Sequence, residues 1–158
     1  MAKGIVVYYS RSGNTKKMAE IIAKSMNDNG LPTDCKSVDK TSIEDLTTAN
    51  AIVMGSPTYY GQMAPQLMQL LTDSVGKHGQ LAGKVGGAFA SSANIGGGNE
   101  TTIMGILEAM LIHGMVVPGE PLGDHYGPVS INNPDQRVES QCVKAGKKIA
   151  ELTKKLFK

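Results

Sequence analysis

Tryptophan is absent from this chain of 158 residues, and two Phe and five Tyr complete its aromatic set, so each position that carries a ring is informative. Cysteine is scarce as well. Cys35 and Cys142 lie far apart, form no C-x-x-C pair and have no His at metal-ligand spacing, which excludes a disulfide framework and points to no metal. Both are expected to be core thiols in a reducing cytoplasm. No apolar run is long enough to cross a bilayer, and the opening run is too short for a signal h-region. A soluble, cytoplasmic protein without membrane insertion is therefore expected. Charge is thin and balanced, with 16 Lys and Arg against 14 Asp and Glu; a net of +2 is too small and too scattered to argue for a nucleic-acid partner. The densest basic stretch, residues 144–158, has the spacing of a solvated helix face. Neither a G-x-G-x-x-G sequence nor the lysine of a P-loop occurs.

What is present suits one domain over residues 1–158, 41% hydrophobic, without repeat, linker or low-complexity segment. Apolar segments at residues 4–9, 33–38, 51–56, 85–90 and 115–117 read as five strands. The first, third and fourth are nearly continuous apolar runs, the pattern of strands covered on both faces. Between them lie helical patterns. Met18, Ile21, Ile22 and Met26 share one face until Asn29-Gly30 and Pro32 stop the helix. Further helices are expected at residues 42–46, 65–75, 100–113 and 135–157. Strands alternating with helices imply right-handed crossovers, so the expected fold is a doubly wound α/β domain with a parallel sheet in the order 2-1-3-4-5 and helices on both faces. Ligands bind such sheets at the carboxyl ends of the strands, beside the point where the order reverses.

Three loops open on that edge. Tyr9-Ser10-Arg11-Ser12-Gly13-Asn14-Thr15 joins the first strand to the first helix and offers hydroxyls, an amide and a helix start to an anion. The same residues also make ordinary turns and N-caps. After the third strand, Pro57-Thr58-Tyr59-Tyr60-Gly61 places two of the seven Phe and Tyr residues at a loop tip. After the fourth, Ser91-Ser92-Ala93-Asn94 precedes three consecutive glycines, which let a backbone approach a ring closely. A phosphate cradle, an aromatic wall and a glycine-lined edge together describe a planar heterocycle on a short phosphorylated tail. Flavin mononucleotide (FMN) fits that description.

The stretch I-V-V-Y-Y-S-R-S-G-N-T resembles a flavodoxin-type phosphate loop. G-S-P-T-Y-Y-G-Q-M, S-S-A-N-I-G-G-G-N-E-T-T and I-H-G-M-V-V are similar to the flavin and substrate loops of the Trp-repressor-binding-protein type of NAD(P)H:quinone oxidoreductase. The resemblance implies a flavodoxin-like fold in which Ser10, Arg11, Ser12, Gly13, Asn14 and Thr15 hold the FMN phosphate. Pro57, Thr58, Tyr59, Tyr60 and Gly61 would line one side of the ring and Ser91, Ser92, Ala93, Asn94 and Gly97 the other. His113 occupies the position of the family's active-site histidine beside the flavin, although a histidine in the last turn of a helix also complements the helix dipole. Tyr60 would cover the ring, and the Gly61 peptide would turn over as the flavin's protonation changes. Tyr126-Gly127 resembles the pair that follows the last strand.

The activity implied is two-electron transfer from NAD(P)H through FMN to a quinone or similar flat acceptor. The alternative is a flavodoxin-type carrier between protein redox partners, a role usually served by an acidic face that this chain lacks. A domain holding FMN only as a sensor or structural ligand is a third reading. The resemblance also implies a homo-oligomer. The insert around the second helix, the longer stretch after the last strand and the tryptophan near residues 76–78 that help build the family's tetramer are all missing, which leaves the oligomeric state open.

Overall fold

The continuous apolar runs lie at the centre of one sheet. The computed structural model describes residues 1–158, with β1 (Gly4–Tyr8), β2 (Thr33–Ser37), β3 (Ala51–Pro57), β4 (Val85–Ser92) and β5 (Val129–Ile131) all parallel in the order β2-β1-β3-β4-β5. That is the expected order. Gly4 pairs with Ala51 and Ala51 with Val85, so the three central strands start level and deliver their following loops to one edge. Alternate residues serve two cores. Val6, Val53 and Phe89 pack with Met18, Ile22 and Met26 of α1 (Asn14–Asp28) and with Cys142 and Ile149 of α5 (Gln136–Leu156). Ile5, Val7, Ile52 and Met54 face the opposite way. They meet Leu46 of α2 (Ile43–Thr48), Leu67 of α3 (Pro65–Asp73) and Ile103 and Ile106 of α4 (Asn99–Ile112).

The expected fifth strand is misplaced. Residues 115–117 contribute one parallel bridge, Val116 with Val85, and the strand proper is β5, twelve residues further on, beside Ala90–Ser92. Pro118 has no amide for a ladder, so the chain leaves the edge there and returns after Pro128. Tyr126-Gly127 thus precedes the last strand. The excursion is fastened to α5: Lys144 and Lys148 both pair with Glu120, and Arg137 with Asp124. Hydrogen bonds from those lysines, then the Leu122 amide, hold the Glu120 carboxyl down at about 2.

Cys35 also departs from expectation. It is exposed, because β2 is an edge strand with no fully buried residue. Cys142 is a core thiol, pushed up to about 12 by burial.

Candidate functional site

The loop after β1 gathers unpartnered backbone donors at a helix start. Tyr9 N donates to Gly55 O at 3.1 Å, and Ser10 Oγ accepts from Gly13 N at 3.1 Å, so the turn is fixed at both ends. Gly13 sits at φ +99° in the N-cap position of α1, where no side chain caps the helix. The amides of Ser10, Arg11 and Ser12 make no hydrogen bond within the chain, and first-turn helix amides have no intrahelical partner. These donors, the exposed Ser12 hydroxyl and the exposed Arg11 guanidinium are suited to a phosphate group. Thr15 is buried, and its Oγ1 lies 2.9 Å from Ser91 Oγ, tying this loop to the end of β4.

The loop after β3 is closed at its base by Ser56, whose fully buried Oγ accepts from Ala64 N at 2.8 Å and donates to Pro57 O at 2.8 Å. Thr58 N donates to Ser91 O at 2.8 Å. At the tip Tyr59 and Gln62 exchange two backbone hydrogen bonds of 2.9 Å, while Tyr60 has φ +50° and Gly61 φ +76°. Two consecutive positive φ values define a type I′ turn. A tyrosine in that conformation is an outlier, and it leaves the ring fully exposed.

The loop after β4 touches this tip. A Cβ on Gly98 would stand 2.6 Å from Gly61 Cα, so only glycine permits the contact. The first turn of α4 completes the join: Thr101 Oγ1 donates to Gly61 O at 2.8 Å, and Thr102 Oγ1 lies 3.1 Å from Thr58 Oγ1. Ser91 and Ser92 are buried and act within the loop, Ser92 Oγ donating to Asn94 O and accepting from Asn99 Nδ2. Ala93, Asn94 and Gly97 form the exposed rim. Beside it opens a cleft of about 670 Å³, lined among others by Ile95, Glu100, Tyr126 and Arg137.

The structure therefore brings together every expected site residue of the three loops. It does not bring His113. That residue caps the C-terminus of α4, and 14 helical residues at about 1.5 Å each put it roughly 20 Å from the loops. A crossover helix runs antiparallel to its strands, so its last turn falls at the opposite edge of the sheet. There His113 is buried, with Nε2 2.8 Å from Ser74 Oγ. Ser74 Oγ donates to Leu71 O at 2.6 Å, so the imidazole Nε2–H is the donor to Ser74 and Nδ1 keeps a buried, unpartnered lone pair. Burial, then the neighbouring His78 ring at 5.8 Å, holds its pKa below the ordinary imidazole value. Ser56, Thr101 and Thr102, which fasten these loops, are the residues that sequence reasoning passed over. Their signal was faint: small hydroxyl residues inside the quoted loop motifs, whose partners lie 8 to 44 positions away.

Comparison with known proteins agrees with the fold. The family model described as the flavodoxin domain matches residues 5–96. A flavodoxin of Aquifex aeolicus (strain VF5) is 35% identical over 160 residues, covering 96% of this chain and 86% of that protein. An NAD(P)H dehydrogenase (quinone) of Rhodopseudomonas palustris (strain TIE-1) is 35% identical, covering 99% of each chain. Its alignment runs to 197 residues against 158 here, so that relative carries insertions this chain lacks. Among solved structures, a flavodoxin from the domain Archaea superposes with a TM-score of 0.81 at 31% identity, covering 96% of this chain and 99% of that one.

Proposed function

Because the chain belongs to the flavodoxin family, we propose that it binds FMN across the loops after β1, β3 and β4 and works as a two-electron oxidoreductase of the NAD(P)H:quinone type. The observation that carries the reading is the set of partnerless amides at residues 10–12 beside an uncapped helix start. A donor set of amides, one hydroxyl and one guanidinium, without a P-loop lysine, fits a single phosphate better than a polyphosphate. The left-handed Gly13 lets the backbone curl around it.

FMN, when bound, supplies the hydride and electron chemistry. The chain's own residues position and exclude. Ser12, Arg11 and the amides of residues 10–12 hold the phosphate; Tyr59 and Tyr60 form a wall on one side of the ring; the Ala93 to Gly98 backbone borders the other. Pro57, Thr58 and the buried Ser91 and Ser92 set the spacing between those walls. The rim of residues 57–64 and 91–99 carries no charged side chain, and exposed Ile95 and Tyr126 face the neighbouring space. An uncharged, partly apolar rim suits a flat neutral acceptor such as a quinone, with NAD(P)H as donor.

Purified protein should be yellow and release FMN on denaturation, and the FMN-loaded protein should oxidise NAD(P)H in the presence of benzoquinone. A colourless protein that refuses added FMN sinks the cofactor assignment. The second reading, a carrier between redox proteins, draws support from the nearly full-length similarity to the Aquifex flavodoxin. Bound FMN with negligible NAD(P)H consumption would favour it.

A further inference from the structure

The interruption of the last strand leaves a gap at the sheet's edge, and beside the gap lies a cavity that none of the three loops reaches. Along β4 the polar groups of odd-numbered residues turn to β3, as Val85 N donating to Asn50 O and Thr58 N donating to Ser91 O show. Those of even-numbered residues turn to the other edge, where Gly86 N donates to Val116 O and Ala90 N to Pro128 O. Ala88, between them, faces no strand. β5 begins opposite Ala90, and Pro128 before it has no N–H to give. The excursion crosses the gap so closely that a Cβ on Gly127 would stand 1.9 Å from Ala88 O. Ala88 is buried, so its N–H is a buried donor without a partner in the chain.

The cavity holds about 50 Å³. Val53 and Ala88 line it from the sheet, Ile22 from α1, Ala145 and Ile149 from α5, and the excursion closes it. Glu120 is paired with Lys144 and Lys148, and Asp124 with Arg137, so the ionised groups along the wall are already matched. Room for roughly four waters is room for one small ring, and four waters would each need at least two polar partners. One free amide among apolar walls does not supply them. A charged guest would meet no free counter-charge, at a large desolvation cost. We propose that this cavity is a binding site for a small uncharged ring bearing one oxygen, of the size and polarity of phenol, with that oxygen accepting from Ala88 N–H. The site stands apart from the FMN reading, since no residue of 10–15, 57–61 or 91–98 lines it.

Phenol, toluene and benzoate are titrated separately into the isotope-labelled protein as purified, and the backbone amide signals are followed by NMR. Phenol should saturate at one site, with its largest shifts at Gly87, Ala88 and residues 117–128. At saturation the Ala88 amide proton should move downfield with phenol, the mark of a new hydrogen bond, and not with toluene, which fits the same space without an oxygen. Benzoate should produce no saturable change. Ala145→Leu, a substitution compatible with a helix, fills the cavity from α5 and should abolish the phenol response while circular dichroism shows the fold retained. Absence of saturation, shifts centred on residues 57–61 and 91–98, or an undiminished response in a folded Ala145→Leu overturns the site. A downfield Ala88 shift that toluene reproduces overturns the anchor, and this comparison decides even where Ala145→Leu does not fold.

Discussion

Ser12 is the clearest case of a side chain with no structural employment. Its hydroxyl is exposed and bonds nothing in the chain, whereas the neighbouring Ser10 hydroxyl holds the Gly13 amide and the Thr15 hydroxyl reaches Ser91. Ser12→Ala should therefore leave stability unchanged and weaken FMN binding roughly tenfold, the worth of one hydrogen bond to a charged group, as read by equilibrium dialysis. An unchanged affinity would contradict the phosphate assignment. His113 predicts a pH effect on stability instead. It is buried as the neutral imidazole with its pKa held low, while in the unfolded chain it titrates near about 6.5. The unfolded state then binds the proton more readily, so the full contribution is present above about pH 6.5 and is lost as pH falls through the folded value. Urea midpoints at pH 7.5 and pH 5.5 should fall further apart in wild type than in His113→Gln. Equal shifts would remove His113 from the account.

Between α1 and α5 the contact is close because of one residue. A Cβ on Gly146 would lie 2.6 Å from Ile22 O and 2.7 Å from Ser25 Cβ, and Ser25 Oγ donates to Val143 O at 2.7 Å across the same seam. Helix propensity alone favours Gly146→Ala by about 1 kcal/mol. Overpacking against backbone costs about 1–3 kcal/mol, so the net change should be destabilising, measured as a lower urea midpoint with an unaltered m-value. The helices themselves were legible: α1 and α5 start and stop within a residue or so of their expected bounds, since capping residues and a 3.6-residue stripe are local signals. The last strand was not. Three residues, V-S-I, hemmed by Pro128 and Asn132-Asn133, offer no period to read, and their place beside Ala90–Ser92 is set by the partner strand.

Three loops meeting on one edge make ligand binding a stabiliser of the entire domain. With free FMN at about 100 times Kd, mass action adds about 2.7 kcal/mol, which for a chain of this size raises Tm by roughly 5–10 °C. Calorimetry of protein stripped of flavin and reloaded checks this; no shift on adding FMN would mean that the loops do not grip it.

The amino-acid order by itself determined the class of fold, the first four strands and the chemical character of the three loops. Continuous apolar runs, helix stops and clusters of Ser, Gly and Asn act through neighbours a few positions away. Only the tertiary structure decided that residues 115–117 fall short of a strand, that Cys35 lies outside the core and that His113 stands at the far edge. It alone revealed Thr101 holding Gly61 across 40 positions of chain and Tyr60 in a left-handed turn. Those outcomes depend on which surface each residue meets once the sheet has assembled, and no local pattern encodes a partner that distant.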